Sequence, residues 1–175
     1  MLYYNRLIIV SFCIYFVGVI LGSLTYEKPK NVNITDYREV SELFAFKNKK
    51  QILVKIIKNN LKVVSINFSG VATFCVLSVV ATFYNGFVLG RLVSYSLEQF
   101  GPAVIFTSIL PHILEILAII LSCALSFSAG IDIFRHLKNE DNLFPVSFYI
   151  LQTVICISIV FFSALMETYF SIGDI

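Results

Sequence analysis

Four long stretches without a charged side chain constrain this sequence more than any other feature. They cover residues 7–24, 63–90, 99–131 with Glu115 as an interruption, and 142–166. About 20 apolar residues in a helix cross a bilayer core about 30 Å thick. Only 14% of the chain is charged, whereas soluble domains carry roughly 25%. We therefore predict an all-α, polytopic transmembrane bundle that forms one domain over residues 1–175, with four spans and five as the alternative.

The segment over residues 83–101 does not fit a simple span. It continues the second apolar stretch but contains Asn85, Arg91, Glu98 and Gln99. Charged groups that face lipid are costly. We therefore predict an interfacial or re-entrant helix here, in addition to the four spans.

Lysine and arginine are distributed unevenly between the two sides of a four-span topology. Of the 13 basic residues, only Arg6 and Arg91 fall on the side of the termini, and all others fall in the loops over residues 25–62 and 132–145. Positive charge is retained on the cytoplasmic side, so both termini are predicted to face outward. With five spans the C-terminus would face inward and the first loop would stay cytoplasmic.

The first loop is amphipathic and then basic over residues 25–60. After Thr35, a candidate N-cap, apolar residues recur at helical spacing and lysines follow. These residues are Ile34, Tyr37, Val40, Phe44, Lys47, Lys49, Lys50, Lys55 and Lys58. We predict a cytoplasmic segment that lies along the inner leaflet, with an ordinary positive-inside loop as the alternative. A net charge of only +2 speaks against a nucleic-acid partner.

Small residues recur every fourth position in three of the apolar stretches. They are Gly18 and Gly22, Gly86 and Gly90, and the series Ala118, Ser122, Ser126 and Gly130. Residues four apart share one helix face, and small side chains let neighbouring backbones approach closely. We predict helix contacts at these faces, either within one chain or between copies in a homo-oligomer.

Two polar residues, His112 and Glu115, interrupt the third apolar stretch directly after Pro111, and a proline either opens a helix at its first turn or kinks one. Side chains three apart project from one helix face, so His112 and Glu115 should meet each other. An acid at mid-membrane depth needs a partner, and Asn59, Asn60 and Asn67 are further candidates. A structural contact between helices and a proton or ion pathway are the two alternatives. Glu167, at the end of the last stretch, is a second candidate, with a solvated helix end as its alternative.

Chemistry that requires a catalytic or metal centre finds little support in the sequence. Cys13, Cys75, Cys123 and Cys156 lie tens of residues apart, without metal-type spacing. One histidine and one carboxylate are too few ligands for a metal, since His136 falls in a predicted loop. The sequence contains no HExxH and no G-x-S-x-G motif, and no Cys/His/Asn arrangement can be placed on one helix face. We expect no catalytic residues, no metal, no cofactor and no enzymatic activity.

The order of these features resembles the stage II sporulation protein M family, also called the DUF95 family. The resemblance runs from about Lys55 to Phe170 and rests on short motifs that follow in sequence. These are Asn59-Asn60, Phe68-Ser69-Gly70, Asn85-Gly86 with Leu89-Gly90, Leu110-Pro111-His112 with Glu115, and a last span that ends at Glu167. The family usually has glycine after the histidine, whereas Ile113 stands here.

The resemblance implies a non-enzymatic protein that crosses the bacterial cytoplasmic membrane several times. Its partners would be the lipid bilayer and other membrane or cell-envelope proteins. In spore formers such a protein anchors two peptidoglycan-degrading proteins during engulfment. Small members accompany circular bacteriocin genes, where they resemble maturation, export or immunity components. A small transporter that uses His112 and Glu115 is the third alternative.

Overall fold

The computed structural model describes residues 2–27, 49–138 and 145–171 of the chain. The amphipathic pattern predicted over residues 34–44 lies outside this described part. Within it the structure is helical and contains no strand, which confirms the all-α prediction. The described residues form five α-helices in succession: α1 (Leu2–Leu24), α2 (Lys49–Ser69), α3 (Val76–Phe100), α4 (Pro102–Leu137) and α5 (Val146–Met166).

Four of these helices are long and apolar enough to cross a membrane, as predicted. The candidate spans are Tyr3–Leu24, Val76–Gln99, His112–Leu137 and Val146–Tyr169. Helix α2 is not among them, since its lysines and asparagines lower its hydropathy. The chain thus folds as a polytopic membrane bundle with one additional, more polar helix.

The predicted re-entrant helix over residues 83–101 is wrong, because this segment is the C-terminal part of the span in α3. The helical path is interrupted earlier in the sequence, between α2 and α3. A short 3₁₀ turn over Gly70–Thr73 is followed there by Phe74 and Cys75 at φ values of 50° and 68°. Thr73 Oγ1 accepts a hydrogen bond from the Leu77 backbone N–H at 3.2 Å, so its side chain caps the start of α3. The second span therefore begins at Val76 and not at residue 63.

Helices α1 and α3 run in the same direction. Ser23 Oγ donates to the Gly90 carbonyl oxygen at 3.1 Å, and the Tyr26 hydroxyl donates to Glu98 at 3.1 Å, so positions near the C-terminal ends of both helices are paired. When two helices of one chain run in the same direction, the segment that connects them must lead the chain back to the end where the first helix began. Helix α2 is this return segment.

The remaining contacts fix the directions of the other helices. Val64 in α2 packs with Ala118 in α4, and Asn67 donates to the Ile119 carbonyl oxygen, so α2 and α4 run the same way. Helix α4 is antiparallel to α3, because it begins directly after α3 ends, and α5 returns against α4. We call the end of the bundle where α1 terminates the upper end and the end where α1 begins the lower end.

The predicted placement of the two charged loops on one side is wrong. Lys49 lies at the upper end, where its ammonium sits 5.7 Å from the Tyr169 ring centroid, whereas Arg135 lies over the ring of Tyr3 at the lower end. Hydropathy does not predict that α2 returns through the bundle, because the lysines of α2 lower its hydropathy below that of a span. The chain begins α1 at the lower end and ends α5 at the upper end, so the termini are placed as in the five-span alternative, although α2 is not one of the four candidate spans.

This geometry predicts that the upper end is cytoplasmic, because the segment that joins α1 to α2 leaves from and returns to that end and carries four basic residues, namely Lys28, Lys30, Arg38 and Lys47. Single cysteines at Lys49 and Lys138, in a background without the native cysteines, test it. In intact cells an impermeant thiol reagent should label Lys138→Cys at once and Lys49→Cys only after permeabilisation. Equal labelling of both would contradict the opposite placement of the two loops.

The two glycine motifs pack directly against each other across α1 and α3. A Cβ atom on Gly18 or Gly22 would lie within 3.0 Å of the backbone of Phe83 or Phe87. In return, a Cβ on Gly86 or Gly90 would lie equally close to the backbone of residues 15 and 19. The contact is thus formed within one chain, backbone against backbone, as small residues at membrane helix interfaces allow.

Candidate functional site

Three ionisable side chains meet in the upper half of the bundle. His112 and Glu115 lie one turn apart on α4, with Nδ1 and Oε2 3.2 Å apart. Glu167 joins them from the π-helical turn Glu167–Ser171 that follows α5. The potential ligand atoms of the three side chains all lie within 4.8 Å of one another. The structure therefore brings together two residues that the sequence paired and a third that it treated separately.

The local backbone explains how these side chains reach each other. Pro111 lies inside α4, so this proline does not open a helix here. Where α5 ends, the wider π turn begins at Glu167, and Thr168 Oγ1 donates to the Ala164 carbonyl oxygen at 2.7 Å. The Thr168 side chain is fully buried. This turn directs the Glu167 carboxylate toward α4.

A cavity of about 130 Å³ adjoins the cluster between α1, α3 and α4. Tyr15, Asn85, His112 and Glu115 contribute its polar groups, while leucine and isoleucine side chains form the remainder of the wall. One water molecule needs roughly 10–15 Å³ of such volume. The carboxylate of Glu115 therefore has room for water or a small ligand on this side.

The three candidate asparagines of α2 have different surroundings. Asn60 is 3% exposed, and its Oδ1 accepts a long 3.4 Å contact from Asn59 Nδ2. Asn60 Nδ2 has no hydrogen-bond partner among the described residues. Asn67 is fully buried and donates to Ser122 Oγ at 2.8 Å and to the Ile119 carbonyl oxygen at 3.1 Å. Its amide is thus used by α4 and not by Glu115.

Sequence reasoning missed a buried polar network around Asn67. Ser78 Oγ lies 2.7 Å from both the backbone carbonyl oxygen of Asn67 and Ser126 Oγ. Thr82 Oγ1 lies 3.4 Å from the side-chain oxygen of Asn67, Oδ1. All of these side chains are at most 1% exposed. The serines predicted as packing residues on α4 therefore also supply hydrogen bonds between α2, α3 and α4. The signal for this network in the sequence was Asn67 within an apolar stretch, one helical turn before Gly70.

The rest of the small-residue series on α4 faces the same interior. Ala118 is buried against Val64 and Val160. Gly130 lies close to the turn between α2 and α3, where an added Cβ would lie 3.0 Å from Cys75 Sγ. The series therefore marks the face of α4 that packs inside the bundle.

A line of exposed polar side chains runs along α2, on the face turned away from α4 and α5. We call it the polar stripe, and it consists of Gln51, Lys55, Lys58, Lys62, Ser65 and Ser69. These residues are spaced alternately four and three apart, so they share one helix face. All six are exposed in the described part of the bundle.

Comparison with known proteins gives consistent results. A family model described as Stage II sporulation protein M matches residues 11–172. An uncharacterized protein of Methanocaldococcus jannaschii is 27% identical over 168 residues, which cover 93% of this chain and 92% of that protein. No solved structure matches the chain significantly.

Proposed function

The chain belongs to the stage II sporulation protein M family, and from that membership we propose that it is a non-enzymatic scaffold of the cell membrane. In this proposal the bundle crosses the membrane several times and holds another membrane protein in place. The polar stripe on α2 carries the argument, because its lysines are costly to expose to lipid.

The depth of the stripe can be read from the packing beneath it. Val63, next to Lys62 in the chain, packs against a cluster that contains Tyr15 and Ile119. Tyr15 lies near the middle of the candidate span Tyr3–Leu24. Lys62 is therefore placed near the centre of the membrane on the outside of the bundle.

An exposed lysine at this depth is unfavourable in lipid. Insertion scales assign roughly 2.5–3.5 kcal/mol to a lysine at the centre of a membrane helix. A lysine can extend its ammonium toward the headgroups, but doing so over half the membrane leaves the stripe below it uncovered. Ser65 and Ser69 follow on the same face, and Ser69 Oγ donates to the Ile66 carbonyl oxygen of its own helix at 2.8 Å, so Lys58 and Lys62 carry most of the cost. A polar surface that lies at this depth along a helix is expected to contact protein.

We assign the stripe to a membrane helix of a partner protein that carries acidic or amide side chains. A second copy of the chain is disfavoured, since equivalent surfaces would bring Lys58 and Lys62 close to the same lysines. An acidic helix would instead neutralise them, and polar side chains hydrogen-bond across membrane helices. In the context that the family implies, the partner is a peptidoglycan-degrading protein of engulfment.

Site-specific crosslinking in the native host tests this docking surface. A photo-crosslinking residue at Ser65 should give one product with a defined partner, and the same residue at Ile155, an apolar position that is 38% exposed on α5, should give none. The Lys62→Glu variant should lose the Ser65 product, and an acid-to-lysine change in the identified partner should restore it. A product of twice the chain mass, or an unshifted internal crosslink to residues 28–48, would contradict the proposal.

Transport is a second candidate function, favoured by one observation. Glu167 joins His112 and Glu115 beside a cavity, and ionisable groups inside membranes do occur in proton relays. Proteoliposomes that contain the pure chain separate the two functions. The scaffold proposal expects no proton or cation flux above empty vesicles, and unaltered partner crosslinking in Glu115→Gln. Flux that Glu115→Gln abolishes would replace the scaffold by a transporter.

The circular-bacteriocin context is the other setting that the family implies. A maturation, export or immunity component would be encoded beside a short bacteriocin precursor, whereas an engulfment scaffold would be encoded beside peptidoglycan-degrading enzymes. The genes adjacent to this one distinguish the two settings directly. The partner captured at Ser65 should be the product of such a neighbour.

A further inference from the structure

His112, Glu115 and Glu167 are the only described set of three or more potential ligand side chains close enough to share a metal ion. The third apolar stretch by itself offers one histidine and one carboxylate, His112 and Glu115, which are too few ligands for a metal. The fold adds a second carboxylate from the end of α5. Two carboxylates and one imidazole form a ligand set that zinc, manganese and ferrous iron accept.

The charge of the cluster favours a divalent cation over an empty site. Two carboxylates within 4.8 Å of each other repel strongly where the local dielectric constant is low. A protonated His112 offsets one of these negative charges. A divalent ion with a neutral imidazole offsets both, and the site becomes electrically neutral at a depth where net charge is costly.

The geometry is compatible with one ion. Zinc bonds of about 2.0–2.2 Å place tetrahedral ligand atoms about 3.4 Å apart. The 4.8 Å limit of the cluster then requires a contraction of at most about 1.4 Å, which rotation of the glutamate side chains can supply. The neighbouring cavity leaves space for water as a fourth ligand.

We propose that His112, Glu115 and Glu167 bind one divalent transition-metal ion of the zinc class, which joins the end of α5 to α4. The imidazole distinguishes this site from an all-oxygen site for magnesium or calcium. The bound ion fixes the turn Glu167–Ser171 against the bundle. This proposal is independent of the polar stripe and of the partner that the stripe would bind.

Metal titration of the purified, detergent-solubilised chain tests the site. After chelator treatment, the chain should bind about one equivalent of Zn²⁺ or Co²⁺ and no Mg²⁺, and Co²⁺ should show visible absorption of a site with nitrogen and oxygen ligands. Zn²⁺ should raise the melting temperature, because it binds only the folded chain. Glu115→Gln and Glu167→Gln should each weaken Zn²⁺ binding by more than the roughly 10–100-fold that loss of a second-shell partner costs.

Asp132→Asn is the matched control, since it removes a carboxylate from the same helix outside the cluster. This variant should keep full Zn²⁺ stoichiometry. Circular dichroism establishes that each variant is folded. Wild-type chain that binds no Zn²⁺ beyond the Mg²⁺ level overturns the proposal, and so does a folded Glu167→Gln variant with unchanged affinity, because α5 then supplies no ligand.

Discussion

Replacing Gly86 by alanine should largely prevent the chain from folding in the membrane. The added Cβ would lie within 3.0 Å of the α1 backbone at Tyr15, and a backbone cannot move aside as a flexible side chain can. Overpacking in well-packed interiors typically costs about 1–3 kcal/mol, and we expect about 3 kcal/mol or more here because two helices must separate along their whole contact. Abundance in membranes and the melting temperature in detergent measure the effect.

Gly130→Ala serves as the control for this prediction. Its Cβ would meet Cys75 Sγ at 3.0 Å, and this side-chain atom can shift slightly. We expect a small change, below about 1 kcal/mol, since Gly to Ala in a helix is itself favourable by roughly that amount. Equal melting temperatures for Gly86→Ala and Gly130→Ala would show that the contact between α1 and α3 does not hold the bundle together.

Asn67→Asp should produce the second large effect. The Asn67 amide donates to Ser122 Oγ at 2.8 Å and to the Ile119 carbonyl oxygen at 3.1 Å. An aspartate has no N–H to donate, and its carboxylate would face the carbonyl oxygen. A buried charge left without a compensating partner typically costs about 3–5 kcal/mol. We therefore expect the variant to be degraded or to melt at a much lower temperature.

The same substitution at an exposed asparagine of α2 provides a matched comparison. Asn59 is exposed on α2, and Asn59→Asp introduces the same carboxylate but removes only the long 3.4 Å contact with Asn60 Oδ1 and no hydrogen bond between helices. Its melting temperature should stay close to that of the wild type. A similar loss in both variants would mean that added negative charge on α2, and not the network around Asn67, is responsible.

The candidate site was predictable only in part. His112 and Glu115 are three residues apart on one helix, so their contact of 3.2 Å follows from helical periodicity alone. Glu167 lies on another helix, and nothing in the sequence relates its depth to that of Glu115. The Asn67 network was hidden for the same reason, because each of its hydrogen bonds joins residues on different helices.

The sequence by itself predicted the four apolar helices and the close contacts at the two glycine motifs. Hydropathy and helical spacing are local properties, so the number of apolar spans and the small-residue faces could be read directly, whereas the start of the second span at Val76 could not. Only the tertiary structure decided that α1 and α3 run parallel, that α2 returns between them and that Glu167 meets His112. These features depend on which helix faces pack together. Helix α2 packs one face against α4 and α5, whereas the lysines on its other face make it too polar to be recognised as a span from hydropathy.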